Sequence, residues 1–243
     1  MADDAHLIGP VEAPGCGPLF QAREAAARPL RQQVFECVRA AGLIPRIDVA
    51  KELGVSPASV TAVSAELIDS GLIQEVDTPR RDGDTARGRP PVALGVRPAA
   101  RFVAGLKISD RMQSAIVVDF AGQTIAESSR ARPVLQQDAA EVVDAAALLL
   151  EDVLARAGLP RQALAAVGLG VPGVVDNASG RVCWSPLIRE RDVALADALA
   201  ARMGCMICVD NDANLVTLAE LWFGAGRARP DFAVVTIEHG VGM

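Results

Sequence analysis

The residues with most chemical potential in this chain are Asp210, Asn211, Asp212 and Asn214, four polar side chains within five consecutive positions. They follow a short apolar run, Met206 to Val209, readable as a buried strand, and precede Leu215, Leu218, Ala219 and Trp222 at helical spacing. The cluster therefore falls where a strand ends and a helix begins. Open α/β sheets take small ligands there, because the first N–H groups of a helix have no partner within it. Asn211 can donate and accept, and Asp212 accepts at neutral pH, which together suit the hydroxyls of a polyol. Asp and Asn are also preferred helix caps, but a single cap accounts for one of these side chains, not four. Asn211 and Asp212 are the candidate ligand contacts.

A second constellation lies near the N-terminus. Ser56 is placed to cap a helix with Pro57 at its first position and Val60, Val63 and Leu67 as its apolar stripe. A preceding short helix, Arg46 to Leu53, puts Ile47, Ala50 and Leu53 inward and ends at Gly54. Before it, Arg28 to Ala41 carries Leu30, Val34, Phe35 and Val38 on one side. Two short helices joined by a glycine turn, followed by a strand at Leu72 to Val76, predict a winged helix-turn-helix. The loop from Thr78 to Pro91 then supplies Arg80, Arg81, Arg87 and Arg89. Arg87-Gly88-Arg89-Pro90 resembles the core of an AT-hook, in which paired arginines enter the negative potential of a narrow A·T minor groove. The third helix has no Lys or Arg before Glu66, so the arginine–guanine pair is not available to it. Ser56, Ser59 and Thr61 are its candidate DNA contacts, and the loop arginines supply much of the affinity.

The rest of the chain reads as α/β. Phe102 to Leu106, Ala115 to Phe120 and Thr124 to Ala126 are strands; Asp138 to Gly158 is a long helix; Ala165 to Val171 is a strand closed by Pro172-Gly173. Asp176 to Gly180 is a tight turn and Asp192 to Gly204 a helix. Another strand begins within Asp231 to Ile237.

Composition sets the outer limits. The 243 residues are 51% hydrophobic and 22% charged, which supports packed cores, and Tyr is absent. Residues 21–97 carry 11 Lys/Arg and 10 Asp/Glu, against 13 and 20 elsewhere, so a near-neutral N-terminal module is joined to an acidic remainder. Five cysteines, an odd number with no leader ahead of them, predict reduced thiols in a cytoplasm. Cys205 and Cys208 read as small buried residues on opposite faces of a strand. No apolar run reaches the length of a membrane span. Met1 to Leu19, rich in Gly and Pro, reads as a flexible tail. The domains expected are a tail at 1–22, a DNA-binding domain at 23–97 and a second domain at 98–243.

Three stretches carry a family resemblance: Gly168-Leu169-Gly170-Val171-Pro172-Gly173-Val174-Val175-Asp176, then Asp210-Asn211-Asp212-Ala213-Asn214 through Glu220 to Gly224-Ala225-Gly226-Arg227, then Val234 to Gly242. With the N-terminal helices they resemble the ROK family (repressors, open reading frames and kinases), on its repressor branch. The resemblance implies the first lobe of an actin-like ATPase (ribonuclease H-like) sugar-kinase fold behind the DNA-binding domain. It implies that Asn211 and Asp212 contact sugar hydroxyls, that Asp212 is the position of the catalytic base in the kinases, and that Pro172 and Gly173 line the same cleft. The implied protein is a homodimeric repressor of carbohydrate genes that binds an operator duplex and a sugar effector, without a cofactor and away from membranes.

The alternative within the family is an ATP-dependent sugar kinase. Its glycine-rich phosphate turn corresponds here to Gly105-Leu106-Lys107-Ile108-Ser109-Asp110-Arg111. Ser109 and Asp110 replace the paired glycines and Lys107 the acidic metal-side residue. A carboxylate at the phosphate position repels it, so no catalytic residue is expected. The family's second lobe and Cys/His zinc site would follow Gly242. The expectation is a chain cut short, with no metal site, that binds DNA but sugar weakly or not at all.

Overall fold

A computed structural model describes residues 14–19, 28–77, 92–132, 136–237 and 241–242. The chain divides into two compact units: Met1–Arg97 with Ala219–Phe232, and Pro98–Leu218 with Ala233–Met243.

The first unit contains α1 (Leu30–Ala41), β1 (Leu43–Pro45), α2 (Arg46–Leu53), α3 (Pro57–Asp69), β2 (Ile73–Asp77) and β3 (Val92–Val96). Val34 and Val38 of α1, Val49 and Ala50 of α2, and Val60 and Leu67 of α3 form its buried centre. The sheet order is β1-β3-β2, with both pairs antiparallel. Strands β1 and β3 are additions to the sequence reading: β1 is three residues long, too short for periodicity, and β3 is a continuous apolar run whose middle residues are all buried. Ile47, expected inward, is 51% exposed; α2 buries Val49 instead, together with Ala50 as expected.

Two segments differ from the expected boundaries. The tail expected at 1–22 is tied down at Pro14–Leu19. Cys16 is buried, and its N–H donates to the Arg39 carbonyl at 3.1 Å. The Gly17 N–H donates to Trp222 O and the Leu19 N–H to Arg227 O, both at 2.7 Å. Residues Ala219–Phe232, expected with 98–243, belong instead to the first unit. Proline and glycine suggested mobility at 14–19, but backbone hydrogen bonds to distant carbonyls hold the segment, a relation that local composition does not encode.

The second unit is built on a five-stranded sheet, order β10-β7-β4-β5-β6, from β4 (Phe102–Ile108), β5 (Met112–Asp119), β6 (Thr124–Ala131), β7 (Leu164–Val171) and β10 (Ile207–Asn211). The three sequence-adjacent strands are antiparallel, while β7 and β10 run parallel to their neighbours. Helices α4 (Ala139–Ala157) and α5 (Leu195–Met203) close the core. Leu149, Leu150 and Val153 of α4 and Leu195, Leu199 and Met203 of α5 are buried with Leu106, Val117, Val167 and Val209 of the sheet. Truncating one of these leucines to alanine is a change of 2–5 kcal/mol in order of magnitude, roughly what such cavities cost elsewhere.

Helix α5 starts three residues later than expected, because Asp192 has φ of 55° and lies outside the helical region. A short hairpin, β8 (Val174–Asp176) and β9 (Arg181–Trp184), encloses the tight turn expected at 176–180. Cys208 is exposed rather than buried, because it points to the face of β10 opposite buried Val209, and Cys205, two residues before the strand, is half-buried. A last helix, α6 (Asp212–Phe223), and a short pair, β11 (Thr236–Ile237) and β12 (Val241–Gly242), complete the described elements. Among the described residues no helix is long and apolar enough to cross a membrane.

Candidate functional site

In the second unit Asp210 and Asn211 end β10, and Asp212 begins α6 with no intervening loop. Register fixes what stands beside them: Asp210 is opposite Gly170, and Asn211 is opposite Val171, in the parallel β10/β7 pair. Pro172 and Gly173 follow Val171 directly, so the two sequence-predicted loops leave adjacent strands side by side. The Asn211 side-chain amide donates to the Gly173 carbonyl at 2.6 Å. Gly170 is what lets α6 pack here, because a Cβ at that position would lie 2.8 Å from Leu215 Cδ1. Gly173 has φ of 130°, and a Cβ there would meet the Trp184 carbonyl at 2.1 Å. No other residue type fits that turn.

Asn211 also caps α6. Its Oδ1 accepts from the N–H of Ala213 at 2.8 Å and of Asn214 at 3.4 Å. Capping and loop-tying thus occupy its oxygen and one amide hydrogen, leaving the second N–H to donate elsewhere. Asp212 Oδ1 accepts from the Ala213 N–H at 3.0 Å, while Oδ2 has no partner among the described residues. Both side chains are half-buried.

The residue that the sequence reading undervalued is Asp210. Its Oδ1 accepts from the Asn211 N–H at 2.7 Å and from Asn214 Nδ2 at 2.9 Å, and its Oδ2 from Asn177 Nδ2 at 3.2 Å. Asp210 thereby joins the β8–β9 turn to the β10–α6 junction. A signal was present: Asp176-Asn177 is an Asx pair in a tight turn. Spacing alone did not show that the Asn177 amide would reach across 33 residues. Beside Asn177, the Ser179 hydroxyl donates to Asp176 Oδ2 at 2.7 Å, and this bond holds the Asp176 carboxyl below the usual carboxylate range. An open groove of about 530 Å³, lined by Lys107, Ser114, Glu127, Ser129 and Arg156, lies on β4–β6 and includes none of the predicted contacts. Among the described residues no group of three His, Cys, Asp or Glu is placed to hold a metal ion.

In the first unit, Ser56 caps α3 by accepting from the Ser59 N–H at 3.1 Å, and the two hydroxyls are 2.8 Å apart. Thr61 is exposed and donates to the Pro57 carbonyl at 2.9 Å. Arg46, whose guanidinium reaches α3, is committed to Ser64 Oγ at 3.0 Å and Glu75 Oε1 at 2.7 Å. Arg80, Arg81, Arg87 and Arg89 lie outside the described residues. The strands flanking them pair with each other, Asp77 opposite Val92.

Comparison with known proteins now decides the family. The ROK family model matches residues 103–243, more than half of the chain. The chain belongs to the ROK family. Across 199 residues it is 27% identical to a putative xylose repressor of Caldicellulosiruptor sp., covering 82% of this chain and 49% of that protein. It is likewise 27% identical over 210 residues to the DNA-binding transcriptional repressor Mlc of Escherichia coli, covering 86% and 50%. A solved ROK family transcriptional regulator, described as a homolog of the E. coli Mlc protein, superposes with a TM-score of 0.61 at 24% identity, over 79% of this chain and 47% of that one. The last likeness is one of fold. This ROK chain spans about half the length of the relatives it matches.

Proposed function

We propose that this ROK chain is a sugar-responsive transcriptional regulator, a repressor whose affinity for an operator is set by a sugar or sugar derivative. The observation that carries the reading is the joining, in one chain, of a small three-helix unit with a serine-capped α3 to a ROK region in which Asn211, next to Asp212, is hydrogen-bonded to the Gly173 carbonyl. The first unit, with helices α2 and α3 followed by the β2–β3 pair, is read as a winged helix-turn-helix at 23–97. Ser56, Ser59 and Thr61 face the duplex, and Arg80, Arg81, Arg87 and Arg89 enter a minor groove or neutralise phosphates. The ROK region at 98–243 senses the effector, with Asn211 and Asp212 at its hydroxyls and Pro172 and Gly173 beside them. The names of the matched relatives, a xylose repressor and an N-acetylglucosamine repressor among them, support this assignment. Two-fold operators make a homodimer the expected form, acting in the cytoplasm without a cofactor.

The β4–β5 turn argues against phosphoryl transfer. A turn that grips phosphate needs free backbone N–H groups. Here the Ser109 N–H donates to Met112 O at 2.9 Å, and the Met112 N–H to Ser109 Oγ at 3.2 Å. Arg111 pairs with Asp110 at 3.6 Å in the same turn. Asp212 then serves as a ligand contact rather than a base.

The test uses the full chain. It is expected to retain double-stranded oligonucleotides from a random pool, with affinity falling steeply as salt rises, and to form no hexose phosphate from ATP. Retention of no duplex, or sugar phosphorylation, overturns the reading. Xylose, glucose and N-acetylglucosamine are titrated in turn to find the effector class.

A further inference from the structure

The β8–β9 hairpin of the second unit departs from regular pairing at one residue. Val175 stands opposite Val182 and Val174 opposite Trp184, so Cys183 is an extra residue on β9, a β-bulge. Side chains alternate along a strand, and without the bulge Trp184 would share the face of Val182, which is buried in the core. The bulge turns Trp184 to the face of Val174 instead. There the two facing apolar side chains are 42% and 58% exposed. The backbone carrying the ring is fixed on both sides. The Cys183 carbonyl accepts from the Asp192 N–H at 3.1 Å, and Ser185 is fully buried, its Oγ accepting from the Leu187 N–H at 3.2 Å.

This tryptophan stands next to the candidate sugar contacts. Gly173, whose carbonyl accepts from the Asn211 amide, fits so closely against the Trp184 carbonyl that no Cβ is tolerated. Asn177 of the same hairpin donates to Asp210 at 3.2 Å. Aromatic residues are scarce in this chain, with two Trp, six Phe and no Tyr. One of the two tryptophans is thus turned out of a core and toward solvent beside a polar cluster.

We propose that Trp184, with Val174 beside it, is the stacking face of the sugar site and makes that site selective for pyranose rings. This rests on the sugar-sensor reading of Asn211 and Asp212. An indole is negative on its face and attracts the weakly positive C–H groups of a flat partner, while keeping water from them. A pyranose with equatorial hydroxyls offers such a C–H face, and its hydroxyl rim stays available to Asn211 and Asp212. An open-chain polyol offers the hydroxyls without the face. The ligand class is therefore the cyclic aldoses, such as glucose and xylose, and not their alditols.

The test is calorimetric titration of the full chain with glucose, xylose and sorbitol, alongside tryptophan emission. Trp222→Phe leaves Trp184 as the one indole in the chain. Where that variant does not fold, 5-fluorotryptophan in the unaltered chain gives the same information by fluorine resonance, assigned with Trp184→Phe. A pyranose is expected to shift the Trp184 signal saturably, and sorbitol to leave it unmoved. Trp184→Ala is expected to weaken pyranose binding roughly tenfold or more, and Trp184→Phe to restore most of it, since a ring remains. Binding that is lost with Asp212→Asn yet unchanged by Trp184→Ala overturns the stacking role and leaves the sugar reading standing. Sorbitol bound as tightly as glucose does the same. A Trp184 signal that follows protein concentration and ignores sugar assigns this face to a second copy of the chain, and also overturns the stacking role. If no pyranose binds the unaltered chain, the sugar reading itself fails and the stacking role falls with it.

Discussion

Arg227 and Gly17 stand 210 residues apart in sequence, yet Arg227 Nε donates to the Gly17 carbonyl at 2.9 Å inside the first unit. This pair explains why residues near the N-terminus are held and why Ala219–Phe232 belongs with them. Removing the guanidinium strands the buried Gly17 carbonyl and the half-buried Ala40 carbonyl, each costing up to about 1–3 kcal/mol. Arg227→Met is therefore expected to lower the urea midpoint of the first unit, by about 3 kcal/mol of stability, and Arg227→Lys to recover part of the loss.

Gly173 and Gly54 separate two kinds of glycine. Both have positive φ, but a Cβ on Gly173 would strike the Trp184 carbonyl, whereas one on Gly54 meets nothing within 4 Å. Gly54→Ala is expected to cost about 1 kcal/mol, the left-handed penalty alone. Gly173→Ala carries backbone displacement as well and should cost about 3 kcal/mol or more. Denaturant unfolding of the two variants side by side measures the difference.

Asp176 sets a pH dependence in the β8–β9 hairpin. Its carboxyl is held low chiefly by the Ser179 hydroxyl. A depressed carboxylate stabilises the folded form above the unfolded pKa, and that contribution is lost as pH falls through the folded value. Amide exchange at Ala178, whose N–H donates to Asp176 Oδ1 at 3.2 Å, is expected to rise across that acidic window. Ser179→Ala should move the midpoint up toward an ordinary carboxylate, as read by the carboxyl carbon shift.

Thiol chemistry should divide the cysteines sharply. Burial, with Glu52 adding to it, pushes the Cys37 thiol up to about 11. At pH 8 its thiolate is then roughly a thousandth of the population, too little for rapid alkylation. Iodoacetamide is expected to label exposed Cys208 first and Cys37 only after unfolding, a sequence that peptide mass mapping resolves.

For the arginine loop, Arg87→Ala with Arg89→Ala is expected to weaken duplex retention and reduce the salt slope by about 2, one counterion per lost phosphate contact. An unchanged slope measured by fluorescence anisotropy would assign the affinity to other residues.

The sequence made some parts of this protein readable and hid others for identifiable reasons. Helix α4 was legible end to end, because nineteen residues of 3.6-residue periodicity run into Gly158 and Pro160. The Asn211–Asp212 junction was legible because an apolar run, a polar cluster and a helical stripe follow one another without a gap. Strand β3 was hidden because its five residues are apolar without alternation, being buried between two partners. Asp210's link to Asn177 and the Arg227 clasp were hidden because both are contacts across the fold, which local pattern does not report. The stripe expected on α6 was misleading in its burial: Leu218 and Trp222 are 44% and 36% exposed despite helical spacing.

The side-by-side exit of Val171 and Asn211 from a parallel pair has an evolutionary corollary. On the sensor reading proposed above, preference for one carbohydrate over another would be altered by lengthening or recolouring either of two neighbouring connections, while the strands underneath keep their register. Diversification of specificity among relatives built this way need not disturb the scaffold that folds them.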